Sequence, residues 1–292
     1  MGESIQKLTH VEHILKRPDS YVGPVSRVAE PYWIHENGVF EKKTAVYSPA
    51  LLKIFDEILV NAIDRNSMYP KSVTALSVSI DKLSGEISIE NNGPLGGIAV
   101  KMHEKEGLWT PELTFGHLLT STNYDDTQKR LVGGRNGYGA KLTNVYSSKF
   151  SVKIKDGENK CVYTQQWSDN MKKCVPPKIK KYSGTSSSVS VSFIPDWKRF
   201  GMTKMDDSIY KIFEKRVFDA NICTSPNCKV KFQNEPLPKC TFNSYAKMYT
   251  KSDEMCTFVS DRWSVCIAPV SYTHLRAHET EAELVCRLLL EK

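Results

Sequence analysis

The sequence predicts an α+β domain in which helices lie against a mixed β-sheet, and three observations carry that expectation. A long amphipathic helix covers the region around residue 55, several alternating strand patterns follow it, and a glycine-rich turn separates two blocks of strands. The chain has 292 residues, enough for one large domain or two modest ones without support from disulfides or metals. With 40% hydrophobic and 25% charged residues, collagenous, low-complexity and disordered classes are excluded. No run approaches the roughly 18 apolar residues of a membrane span, and the start MGESIQKLTH lacks the apolar core of a signal peptide. A cytosolic or nuclear setting is expected. The net charge of +7 raises the case for a polyanionic partner only slightly. All eight cysteines lie from Cys161 onward without repeated close spacing, so they are read as reduced structural thiols rather than a metal site.

Each element has its own justification. Leu8, Val11, Ile14 and Leu15 keep a helical rhythm that Pro18 ends. Ser48 can cap a second helix with Pro49 in its first turn; Leu51, Leu52, Phe55, Ile58, Leu59, Ala62 and Ile63 form one apolar face as far as about Asn66. Strands follow at Val73 to Ile80 and Glu86 to Glu90, joined by a hairpin connection through Gly85. A helix is expected from Pro111 to Leu119 and another from Ala140. Strands are expected over Phe150 to Lys155, Cys161 to Trp167 and Ser187 to Phe193, then a helix from Asp206 to Asn221 and a strand from Lys229 to Gln233.

Candidate chemistry gathers at two places. Glu57, Asn61 and Asp64 share one flank of the long helix, where a carboxylate can deprotonate water and an amide oxygen is a hard ligand suited to Mg²⁺. The turn Gly133-Gly134-Arg135-Asn136-Gly137-Tyr138-Gly139 offers backbone N–H donors before a helix, with Arg135 and Lys141 adding positive charge. Taken alone, either feature is an ordinary helix flank or an ordinary loop. The turn fits neither common phosphate fingerprint: Ala140 separates Gly139 from Lys141, and Leu142 stands where a dinucleotide-binding turn needs glycine.

The set Phe55 to Ala62, Ile89-Glu90-Asn91-Asn92-Gly93, Leu119 to Tyr124 and Gly133 to Leu142 resembles, in order and spacing, the ATPase region of eukaryotic-type type IIA DNA topoisomerases. The similarity starts at Gln6 and reaches Cys266. It implies a GHKL two-layer sandwich, a mixed sheet with helices on one face, and ATP with Mg²⁺ as cofactors. It further implies Glu57 as general base, Lys141 as a second catalytic group reaching phosphate oxygens, Asn61 as Mg²⁺ ligand and Asn91 near the adenine. Ser121, Thr122 and Asn123 match the ribose and phosphate stretch; Arg135, Asn136, Gly137, Tyr138, Gly139, Ala140 and Lys141 match the turn around the triphosphate. The implied function is the ATP-driven N-terminal clamp of a type II topoisomerase, dimerising on ATP binding and coupling hydrolysis to passage of DNA, with no membrane partner. Location would be nuclear in a eukaryote, and cytoplasmic or in a viral factory otherwise. The other readings are a different GHKL ATPase, such as a gyrase B-like, MutL-like or heat-shock-chaperone-like protein, and a nucleotide-binding module that does not hydrolyse.

The pattern is not kept everywhere. Ile63 and Arg65 replace the family's second alanine and second asparagine after Asn61, Leu95 displaces a glycine, and Ile5 stands where the N-terminal arm carries a tyrosine. No Gln-Thr-Lys tripeptide, the transducer's γ-phosphate contact, occurs. The division expected is an ATPase domain with its arm over 1–255, the start of a transducer over 256–269, and a foreign tail over 270–292. Val270 to Thr280 and Leu284 to Lys292 resemble translations of sequencing-adapter and flow-cell primer DNA.

Overall fold

The computed structural model describes residues 7–120, 138–250, 252, 254–260 and 263–269. Helix α1 (His10–Lys16) starts where Thr9 and Glu12 cap each other's backbone reciprocally. Two strands that the sequence reading passed over come next, β1 (Val28–Glu36) and β2 (Val39–Tyr47), paired antiparallel across Asn37-Gly38. Both turn residues have positive φ, 52° and 80°, the left-handed pair that an Asn-Gly turn supplies. Helix α2 (Pro49–Met68) follows its expected cap, the Ser48 hydroxyl accepting the Leu51 N–H at 3.3 Å, and runs two residues past Asn66.

Strands β3 (Ala75–Asp81) and β4 (Glu86–Asn92) form the expected hairpin. The short pair β5 (Met102–His103) and β6 (Leu108–Trp109) leads into α3 (Thr110–Gly116), which ends before the expected Leu119. Gly116 lies so close to Trp167 that a Cβ there would sit 2.8 Å from the indole. After α4 (Gly139–Val145) come β7 (Ser147–Asp156), β8 (Cys161–Ser168), β9 (Lys173–Cys174), β10 (Lys178–Lys181) and β11 (Ser188–Pro195). Helix α5 (Asp207–Cys223) is capped by Asp206, followed by β12 (Lys229–Phe232), β13 (Glu235–Pro236) and α6 (Phe242–Lys247). At the end of the described chain, β14 (Cys256–Val259) and β15 (Ser264–Ile267) form an antiparallel hairpin.

Among the described residues the main sheet has nine strands, ordered β10-β8-β7-β11-β4-β3-β12-β13 with β9 on β8. It is mixed, because β12 runs parallel to β3 while the other pairs are antiparallel. One face is mainly apolar: Val78, Ile89, Val191 and Val152 lie in one cross-strand row and all are buried. Helices α2, α4 and α5 cover that face, and Phe55 stacks on Phe213 at 4.1 Å to join α2 to α5. The opposite face is polar, with Ser77, Ser88, Ser190 and Ser151 in the alternate positions. Behind α2, the Arg216 guanidinium bonds Asp56 at 2.9 Å and Asp219 at 2.7 Å, and Lys215 reaches Asp219 at 2.9 Å. No helix among the described residues is long and apolar enough to cross a membrane, and the described cysteines are free.

Candidate functional site

A cavity of about 1250 Å³ opens between α2, the end of β4, α3 and the start of α4. Ile89, Val189 and Val191 give it an apolar floor, while Glu57, Asn61 and Asp64 bring polar groups from α2. The α2 residues converge because their spacing repeats on one helix flank, while Ile54, Phe55, Ile58 and Leu59 turn into the core. A large concave site with a greasy floor and few polar groups is the usual form of a small-molecule or cofactor site.

The two carboxylate oxygens of Glu57 are divided. Lys53, one turn earlier on α2, takes Oε1 at 2.7 Å, and the Glu57 side chain is only 19% exposed. The other oxygen faces Gly139, where an added Cβ would come within 2.5 Å of Oε2 and 3.9 Å of Asn61 Nδ2. The first residue of α4 therefore stands directly against the general-base candidate. Asp64 lies deeper along the same flank, and burial together with the negative charge of Glu57 pushes its carboxyl up to about 6.

Lys141 is 4% exposed, and its ammonium donates to the Thr120 carbonyl. Burial lowers its pKa to about 8, which keeps the charge at neutral pH but close to release. Asn91, 8% exposed, is held at the end of β4, where its amide donates to the Asn92 carbonyl at 3.0 Å. Asn92 fixes the following turn by accepting the Thr74 and Ala75 N–H groups, both at 2.8 Å. Gly93 has φ +107°, and a Cβ there would strike Val73 at 2.6 Å. Tyr138 lies edge-on to Tyr21 at 5.8 Å beside the cavity.

The structure thus brings Glu57, Asn61, Asn91, Tyr138, Gly139, Ala140 and Lys141 to one cavity. Ser121, Thr122, Asn123, Arg135, Asn136 and Gly137 lie outside the described residues, as does Ile5. Arg65 lines the cavity and lies over the Tyr69 ring at 5.7 Å. Leu95 is buried, and Gly96 and Gly97 beside it line the cavity. Lys53 was missed by the sequence reading, although its four-residue spacing from Glu57 was a legible signal.

No family model matches the chain. It is 45% identical over 254 residues to DNA topoisomerase 2 of Penicillium chrysogenum, an alignment covering 86% of this chain and 16% of that protein. It is 41% identical over 255 residues to DNA topoisomerase 2 of Saccharomyces cerevisiae, covering 87% of this chain and 18% of that protein. The chain therefore spans less than a fifth of these two relatives' length. Among solved structures, the ATPase region of Saccharomyces cerevisiae topoisomerase II superposes with a TM-score of 0.86 at 39% identity, covering 91% of this chain and 71% of that one. The ATPase and transducer domains of DNA topoisomerase II from Balamuthia mandrillaris give a TM-score of 0.85 at 39% identity, covering 91% of this chain and 68% of that one.

Proposed function

Because the chain belongs to the type II DNA topoisomerase family, within the ATPase region of its members, we propose that its cavity binds ATP with Mg²⁺ and hydrolyses it. In the whole enzyme this serves as a nucleotide-driven clamp, closing as a homodimer and coupling ATP to passage of DNA, in the nucleus of a eukaryotic cell. The division we propose is an ATPase domain over 1–255, the start of a transducer over 256–269, and a tail over 270–292 that is foreign to the protein.

The observation that carries this reading is the division of the Glu57 carboxylate, one oxygen held by Lys53 at 2.7 Å and the other turned to Gly139. A carboxylate oriented by a neighbouring cation, with a free oxygen at the cavity wall, is placed to accept the proton of an attacking water. Lys141 adds positive charge inside the cavity, where low dielectric strengthens it against phosphate oxygens. Asn91 supplies amide hydrogen-bonding groups above an apolar floor that suits a planar base. Asn61 fits the metal: its exposed side chain makes no hydrogen bond among the described residues and stands on the same flank as Glu57. Mg²⁺, when bound with the nucleotide, would neutralise phosphate charge, and one hard amide oxygen is a sufficient protein ligand where phosphates supply others.

The turn matching Ser121, Thr122, Asn123, Arg135, Asn136 and Gly137 completes the proposed nucleotide contacts by family resemblance. Replacing Glu57 by glutamine tests the hydrolytic reading, since the amide keeps size but accepts no proton. Turnover should fall by about 10²- to 10⁴-fold with nucleotide binding retained. Unchanged turnover in Glu57→Gln would make the site a binding module with another, or no, general base.

A further inference from the structure

The sheet face turned away from α2, α4 and α5 has no element packed across it among the described residues, and the pairing registers fix which side chains it presents. Lys153 and Lys155 stand on β7, Lys178 and Lys180 on β10, and Lys229 and Lys231 on β12. Two rows result. Lys178 is in register with Thr164 and, through it, Lys153, whose row continues through Ser190, Glu90 and Ser77 to Lys231. Lys180, Val162, Lys155 and Ser188 begin the second row.

Lys155 is half-buried and the other five lysines are exposed. Among the described residues none of the six makes an ion pair, whereas Lys149, further along the same face, meets Glu86 at 3.6 Å. Glu90 is the one carboxylate within the two rows. Between the lysine columns the floor carries Thr164, Ser190, Ser77, Ser188 and Val162, short side chains that, apart from Glu90, leave room for a rod-like anion to lie flat. Adjacent strands are about 4.8 Å apart, so the β7 and β10 lysines stand about 10 Å apart, on the order of the ~12 Å major-groove width. These rows carry no aromatic side chain on which unpaired bases could stack.

We infer that this open face docks the phosphate backbone of duplex DNA, without reading base sequence. The identity of the polyanion rests on the function proposed above; the site itself does not, because it lies on the opposite side of the sheet from the nucleotide cavity. Binding of this kind releases counterions, so its affinity falls steeply with salt.

The test is fluorescence polarisation of a labelled duplex with the full chain across a range of KCl concentrations. Six phosphate contacts correspond to a slope of about −5 in log K against log salt. The double substitution Lys153→Gln with Lys178→Gln should flatten that slope by about 2. The same charge removed elsewhere, by Lys42→Gln with Lys247→Gln, should leave it unchanged, and thermal melting should show all three proteins folded. Equal flattening by both pairs, or no salt-dependent binding by the wild-type chain, would overturn the inference. Displacement of the duplex by polyglutamate at equal charge would also overturn it, marking the face as an acceptor of acidic polypeptide. Calorimetry with a non-hydrolysable ATP analogue on the same samples separates the two proposals: loss of nucleotide binding with the salt slope intact counts against the cavity alone.

Discussion

Gly139 packs against the Glu57 carboxylate so closely that a Cβ at that position would lie 2.5 Å from Oε2. The start of α4 and the middle of α2 are thus fitted to each other at the atom proposed to take a proton. Gly139→Ala should displace the Glu57 side chain, a flexible group that can move at little cost to the fold. Stability should change by about 1 kcal/mol or less, while turnover falls by on the order of 10²-fold through misplacement of the base. Parallel urea melts and ATPase assays check this; an equal loss of stability and activity would make Gly139 a packing residue only.

Lys141 ties the site to pH. Its ammonium normally titrates near 10.5 and is lowered to about 8 by burial. The folded value lies below the unfolded one, so between about pH 8 and 10.5 the unfolded chain holds a proton that the folded chain has lost, and stability contributed by this group rises with pH there. A bound phosphate favours the ammonium, so nucleotide binding near pH 8 to 9 should take up a proton. Calorimetry in buffers of different ionisation enthalpy reads that uptake directly. It should vanish in Lys141→Met, and its persistence there would assign the proton to another group.

Asp64 has the opposite linkage. Burial and Glu57 raise its carboxyl from 3.8 to about 6, so the folded chain binds the proton more tightly and this group's contribution to stability is lost as pH rises through 6. Asp64→Asn should therefore stabilise the chain at pH 7, by on the order of 1 kcal/mol, and flatten the pH dependence of the urea midpoint between pH 4 and 6. A destabilised variant would show instead that the ionised form is needed for structure.

Behind α2, Arg216 bridges Asp56 and Asp219. Arg216→Met leaves two acids of the α2–α5 seam without that guanidinium, and losing the partner of part-buried charged groups should cost about 2 kcal/mol. Urea denaturation should register the loss; a change under about 1 kcal/mol would mean that water or Lys215 takes over.

Much of this was legible in the residues themselves. Ser48 caps α2 as its side chain and the following Pro49 foretell, and the strand alternation around Val78, Ile89 and Val191 matches the covered face of the sheet. The hairpin over 28–47 was overlooked although Asn37-Gly38 is a strong two-residue turn signal; Pro31 and the charged run 41–43 obscure the alternation on either side. The burial of Lys141 could not be read, because α4 has polar residues that look solvent-facing. Tertiary partners hide them: Thr143 donates to the Ile54 carbonyl at 2.8 Å and Asn144 to that of Phe115 at 2.9 Å.

The tail over 270–292 lies outside the described residues. A chain ending at Pro269 should melt within about 1 kcal/mol of the full one, the range of harmless surface changes. Marked destabilisation on truncation would contradict its reading as foreign sequence.

The central claim is that the cavity between α2 and α4 binds a magnesium nucleotide, and titration calorimetry with a non-hydrolysable ATP analogue tests it most directly. The wild-type chain should bind one analogue per chain, at least about tenfold more tightly with Mg²⁺ than with a chelator present. Asn61→Ala should lose that metal dependence. An absence of saturable binding, or a metal-independent affinity shared by the wild-type chain and Asn61→Ala, would contradict the account.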